Sequence, residues 1–283
     1  MAASELKPLL ELVPTQSIRF HEHPEGNRTE RLRKRIERDA QLRNPPIVTG
    51  MGDGRYLLLD GANRVSAFMA LGYSLIPVQV VDYGDPAVQL KGWHHLLLEG
   101  APLTLREQYQ KLPGVRVEAV GKADLDKLLE LRQVLCVLVE DAQRWWGLFP
   151  DGGPGELPVR QRVGILEAIV GAYEGQSRLE RIKLADYDQL PAVVANVQHR
   201  ICLFPILRKE ELLQAAGEGL LIPTGLTRHL IPGRALGINL ELDFLAAEGS
   251  DDDKKARFSD FVENLAMEGR IRFYEESVFI MNE

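Results

Sequence analysis

The run Tyr56-Leu57-Leu58-Leu59-Asp60-Gly61-Ala62-Asn63-Arg64-Val65-Ser66-Ala67-Phe68 leaves the chain little conformational choice. Its apolar start, preceded by a hairpin-like Gly52-Asp53-Gly54, reads as a strand. Asp60-Gly61 ends that strand, and helical spacing opens at once with Arg64 in the first turn. A helix start carries backbone N–H groups without intrahelical acceptors and the positive end of the dipole, so it favours an anion such as phosphate. Gly61 permits close backbone approach, and Arg64 offers a forked, permanently charged donor. The same residues also suit an ordinary strand-to-helix turn with Asp60 and Asn63 as caps. No P-loop consensus occurs anywhere in the chain, which argues against a P-loop kinase.

Around this cradle the pattern is α+β with mixed sheets. Residues 4–13 read as a short helix or lead-in, Ser17–Phe20 as a strand, and residues 30–40 as an Arg-rich helix capped by Thr29. Strands are expected at 47–49, 55–59 and 76–82, with a helix over 64–71. Asp82-Tyr83-Gly84-Asp85-Pro86 is a breaker cluster that marks a boundary between residues 1–85 and residues 86–283. In the second part, helices are expected over 123–131, 159–173 and 209–217, and a β-hairpin over 135–139 and 145–149. A tail helix over 256–268 and a strand at 271–273 paired with 278–280 complete the reading.

At 283 residues the chain can bury a substantial core, in two domains or two lobes. Its 34 basic and 41 acidic residues give a net charge of −7, so nothing overall draws it to nucleic acid. Cys136 and Cys202 lie in apolar runs without metal-ligand spacing and read as buried, reduced thiols. With no signal-peptide pattern and no apolar run long enough to cross a bilayer, a cytoplasmic protein is expected.

Two further segments carry chemistry. Glu22, in Phe20-His21-Glu22-His23, follows a strand and precedes the basic helix, where a carboxylate can reach a cleft; Glu25 is its nearby competitor. The histidines His21, His23, His94 and His95 match no strong zinc spacing. The loop Pro223-Thr224-Gly225-Leu226-Thr227-Arg228-His229-Leu230-Ile231-Pro232-Gly233-Arg234 is costly to order unless it packs on something specific. Arg228 or Arg234 suits a carboxylate, and Thr227 and His229 suit the polar groups of a small amino acid.

The order Arg43-Asn44-Pro45-Pro46-Ile47-Val48, Leu59-Asp60-Gly61-Ala62-Asn63-Arg64, Leu71-Gly72-Tyr73 and Ile76-Pro77-Val78 resembles the ParB/sulfiredoxin fold. The closest resemblance within it is to the free L-serine kinases, strongest over residues 12–95 and again over 200–245. The cradle holds no cysteine, which argues against a sulfiredoxin activity. The resemblance implies a ParB-like nucleotide-binding domain over 1–85, a larger C-terminal lobe over 86–283 with the substrate loop 223–234, and an active site in the cleft between them. It implies a kinase that moves a phosphoryl group from ATP or ADP to L-serine, giving O-phosphoserine. Glu22 is then the base, and Asp60 orients Mg²⁺ or the acceptor. Gly61, Ala62, Asn63 and Arg64 hold phosphates, while Trp93, Thr227, Arg228 and His229 hold the amino acid. One departure is Asn63, where many relatives carry histidine in an Asp-Gly-x-His-Arg cradle; asparagine donates hydrogen bonds but carries no positive charge. A ParB-like nucleotide-responsive regulator or DNA-binding protein without kinase activity is the alternative.

Overall fold

The computed structural model describes residues 7–153, 157–183, 187–196 and 198–274, and the chain divides into two compact units. The first comprises residues 1–20, 24–89 and 230–283, and the second residues 21–23 and 90–229. The expected break at Asp82–Pro86 lies just before Gln89, where the first unit gives way to the second, but the chain returns to the first unit at Leu230.

The first unit is built on a five-stranded mixed sheet in the order Leu10–Pro14, Leu75–Val80, Ile47–Gly50, Tyr56–Asp60, Ile18–Arg19. Leu75–Val80 runs antiparallel to Leu10–Pro14 and parallel to Ile47–Gly50. Tyr56–Asp60 is antiparallel to Ile47–Gly50 and parallel to Ile18–Arg19. Residues 10–14 are therefore a strand, not the helical lead-in their spacing suggests, because Leu12 and Val13 gain burial by pairing with a strand distant in sequence. Helices Gly26–Asp39, Ala62–Ala70 and Asp251–Met267 supply Ile36, Val65, Phe68, Phe258 and Val262 to the same core as Val48, Leu58, Ile76 and Val78. The last helix begins earlier than its apolar spacing indicates, because Ser250 and Asp253 form a reciprocal capping box. No strand forms at 271–273, and residues 278–280 lie outside the described residues.

The second unit contains a six-stranded sheet, Leu179–Ile182, His94–Leu97, Arg200–Leu203, Cys136–Val139, Trp145–Pro150 and Val115–Ala119, with every neighbouring pair antiparallel. The hairpin of Cys136–Val139 with Trp145–Pro150 is the one read from the apolar runs. Cys136 to Val139 are all fully buried because both faces of the sheet are covered. Val137 and Val139 pack with Leu125, Leu128 and Leu190, while on the other side the Tyr109 hydroxyl bonds the Ile169 carbonyl and lies 3.8 Å from Cys202 Sγ. Burial pushes the Cys136 thiol well up, so it stays protonated. A two-stranded ribbon pairs Gln89–Gly92 with Thr227–Leu230. Among the described residues, no helix is long and apolar enough to cross a membrane.

Candidate active site

In the first unit, strand Tyr56–Asp60 hands over to helix Ala62–Ala70 through Gly61, whose φ of 101° favours glycine. A Cβ there would meet Pro46 Cβ and Arg64 Nε at 3.0 Å, so the turn is shaped by contact as well as by dihedral. Arg64 is largely committed within this turn. Its Nη1 donates to the carbonyls of Asn44 and Pro45 at 3.1 and 2.9 Å, and its Nη2 to Asp60 Oδ2 at 2.6 Å. The Pro45-Pro46 pair brings carbonyls without N–H donors, and the guanidinium braces that segment against the helix.

A second cation stands at the same carboxylate: Arg234 Nη1 is 3.5 Å from Asp60 Oδ2, and this side chain is more exposed than Arg64. Buried Gln79 places it. Gln79 Nε2 donates to the Gly233 carbonyl at 2.9 Å, and its Oε1 accepts from Ala235 N–H at 2.8 Å, so one amide grips the backbone on both sides of Arg234. Asn44 Oδ1 holds Gly237 N–H in the same way, at 2.8 Å.

Asn63 ties two helix starts together. Its Oδ1 accepts from the Glu25 N–H at 3.0 Å and from the Thr29 hydroxyl at 2.9 Å. A backbone N–H only donates, which fixes the amide's orientation and leaves the Asn63 NH₂ as the outward donor. Thr29 thus bonds Asn63 instead of capping its own helix, which begins at Gly26.

In the second unit, a single parallel bridge joins Glu22 to Ile222, with Ile222 N–H donating to the His21 carbonyl. It delivers the Glu22 carboxylate to the loop that follows. Gly225 N–H donates to Oε2 at 3.0 Å, Thr227 N–H to Oε1 at 3.0 Å, and the Thr227 hydroxyl also to Oε1. The hydroxyl spends its single proton on Glu22, so its lone pair accepts from His21 Nε2, 2.9 Å away. The His21 ring meets His229 edge to face at 5.4 Å. Trp93 is flanked by two cations, the Arg228 guanidinium at 5.0 Å and the Lys183 ammonium at 5.2 Å from the ring centre.

Of the sequence candidates, Asp60, Gly61, Ala62, Asn63 and Arg64 thus gather in the first unit, and Glu22, Trp93, Thr227, Arg228 and His229 in the second. Gln79 and Lys183 were not singled out from sequence, and His21 was weighed there only as a zinc ligand.

No protein-family model matches the chain. It is 27% identical over 278 residues, 97% of each chain, to the ATP-dependent L-serine kinase SbnI of Staphylococcus aureus. An ATP-dependent L-serine kinase of Staphylothermus marinus is 25% identical over 240 residues, 83% of this chain and 90% of the relative. The structure of C-terminally truncated SbnI superposes with a TM-score of 0.71 at 26% identity, covering 92% of this chain and 97% of that one. The chain is thus similar, over nearly its whole length, to nucleotide-dependent L-serine kinases. A free serine kinase bound to AMP, 18% identical over 84% of this chain and 94% of that one, shares the fold with a TM-score of 0.65.

Proposed function

We propose that the protein transfers the γ-phosphoryl group of ATP to the hydroxyl of free L-serine, giving O-phosphoserine and ADP. The observation that carries this reading is the Glu22 carboxylate held by Gly225 and Thr227 in a chain related over nearly its whole length to L-serine kinases. Glu22 is the general base. The serine hydroxyl displaces the Thr227 hydroxyl from Oε1 and passes its proton to the carboxylate as its oxygen bonds to phosphorus. The bond from phosphorus to the bridging oxygen of ADP breaks in the same step. Trp93, Arg228 and His229 bind the amino acid, with Arg228 pairing its carboxylate.

The first amides of helix Ala62–Ala70, the Asn63 NH₂ and Arg234 receive the phosphates, and Gly61 keeps the approach open. Arg64 serves them indirectly by shaping the turn. The residues present fit Mg²⁺: a phosphate-bound Mg²⁺ needs only one or two protein carboxylates, and the ion pairs of Asp60 fall on Oδ2, leaving Oδ1. Bound there, the ion would neutralise phosphate charge. ATP is favoured over ADP because the relatives are named ATP-dependent, and full-length relatives named as kinases favour an enzyme over a nucleotide-responsive regulator.

Phosphorus NMR of the protein with Mg²⁺, L-serine and either ATP or ADP tests the reading. An O-phosphoserine signal with ATP that disappears in Glu22→Gln is expected; no product with either nucleotide overturns it.

A further inference from the structure

Gly225 is gripped from both sides. Its N–H donates to Glu22 Oε2 at 3.0 Å, and its carbonyl lies 2.9 Å from Nε2 of His95, a residue with no solvent exposure. A carbonyl only accepts, so the His95 proton is on Nε2. Nδ1 then presents a lone pair, to which the equally buried Tyr173 hydroxyl donates at 2.7 Å. The direction of every bond in the series Tyr173, His95, Gly225 is thereby determined, with the imidazole neutral.

We propose that His95, backed by Tyr173, is a positioning residue that sets the Gly225 loop in the conformation that holds Glu22. Glycine by itself prescribes neither φ nor ψ. At Gly225, where φ is 85°, the backbone needs outside determination. His95 supplies it at the carbonyl, and Arg181, its cross-strand partner, supplies it at the α-carbon, where a Cβ would collide with the guanidinium. Without His95 the Gly225 carbonyl is left unpaired in a buried place and turns to find another donor, loosening the adjacent N–H that fixes one oxygen of the base. Burial pushes the His95 imidazole down to about 4, which keeps it a single-donor ring at neutral pH. His95 touches no substrate in this arrangement; it acts through Gly225.

The inference rests on Glu22 being the base, and its test separates the two. Long-range proton–nitrogen NMR of the whole protein, read at neutral pH without substrates, reports the His95 tautomer: an Nε2–H ring is expected, and an Nδ1–H or doubly protonated ring overturns the proposal whether or not the protein is a kinase. In phosphoryl-transfer assays, His95→Leu is expected to lose at least tenfold in kcat with KM for ATP unchanged. His95→Gln keeps an N–H near the Nε2 position and is expected to recover most of that loss, and Tyr173→Phe to show a smaller loss in kcat. A folded His95→Leu or Tyr173→Phe protein with a lowered Tm but wild-type kcat overturns the positioning role, as does His95→Gln as impaired as a folded His95→Leu. Absence of O-phosphoserine from the wild type defeats the kinase reading alone.

Discussion

The Thr227 hydroxyl donates to the Glu22 carboxylate across 205 positions of sequence, and His21 Nε2 donates in turn to that hydroxyl. Glu22 therefore carries a protein hydroxyl where the proposed reaction places the serine hydroxyl. Thr227→Ser should keep this pairing, whereas Thr227→Val removes the hydroxyl that serine must displace and should raise kcat/KM for serine, by up to about ten- to a hundredfold, the worth of a hydrogen bond to a charged group at roughly 1.5–3 kcal/mol. Steady-state kinetics with serine varied at saturating ATP checks this.

Asn63 separates structure from ligand binding within one side chain. Asn63→Asp keeps the oxygen that accepts from Glu25 and Thr29 and places a negative charge at a helix start, so the fold should lose nothing. It removes the outward NH₂ donor and repels phosphate, so nucleotide affinity should fall by about tenfold or more, as for a lost charge-assisted bond. Paired thermal melts and ATP titrations give the two readouts.

The two arginines at Asp60 should behave in opposite ways. Arg234→Ala should leave stability within about 0.5 kcal/mol of wild type while raising KM for ATP. Arg64→Ala strips the donors from the Asn44 and Pro45 carbonyls, at a cost of about 1–3 kcal/mol for each buried group left unpaired. Gln79→Leu should combine the two effects, because it both buries an unmatched loop backbone and frees Arg234. Urea unfolding beside ATP kinetics distinguishes the three.

Burial pushes the His94 and His95 imidazoles down to about 4 from an ordinary 6.5. Between those values the unfolded chain binds protons that the folded chain refuses. Stability contributed by the neutral rings is therefore complete above the unfolded value and is lost as pH falls through the window to the folded one. The loss is on the order of 3 kcal/mol per histidine at the acid end. Urea midpoints across this window should decline steeply for wild type and less steeply for His94→Asn and His95→Gln.

The turn from Asp60 to Arg64 was legible because strand, glycine and helix adjoin in sequence. The Cys136–Pro150 hairpin was legible for the same reason. Leu10–Pro14 was not, since its partner is Leu75–Val80 and local spacing cannot report that pairing. The positioning residues escape for a stronger form of the same cause: His21, His95 and Gln79 reach partners 206, 130 and 156 positions away. Arg64 was legible as the cation of the turn, but its bonds to the Asn44 and Pro45 carbonyls were not, as a charge facing a ligand is indistinguishable in sequence from one spent on backbone carbonyls.

The first unit takes its residues from both sides of the second: it begins before His21, continues to Gln89 and resumes at Leu230. During synthesis this makes the order of folding unequal. Residues 90–229 leave the ribosome as one nearly uninterrupted stretch, whereas the sheet bearing Asp60 must wait, with Phe68 and Val78 uncovered, for Phe258 and Val262 at the far end of the chain. The first unit is the last to be finished, and a chain that stalls before its final long helix exposes the core on which the Asp60–Arg64 turn rests.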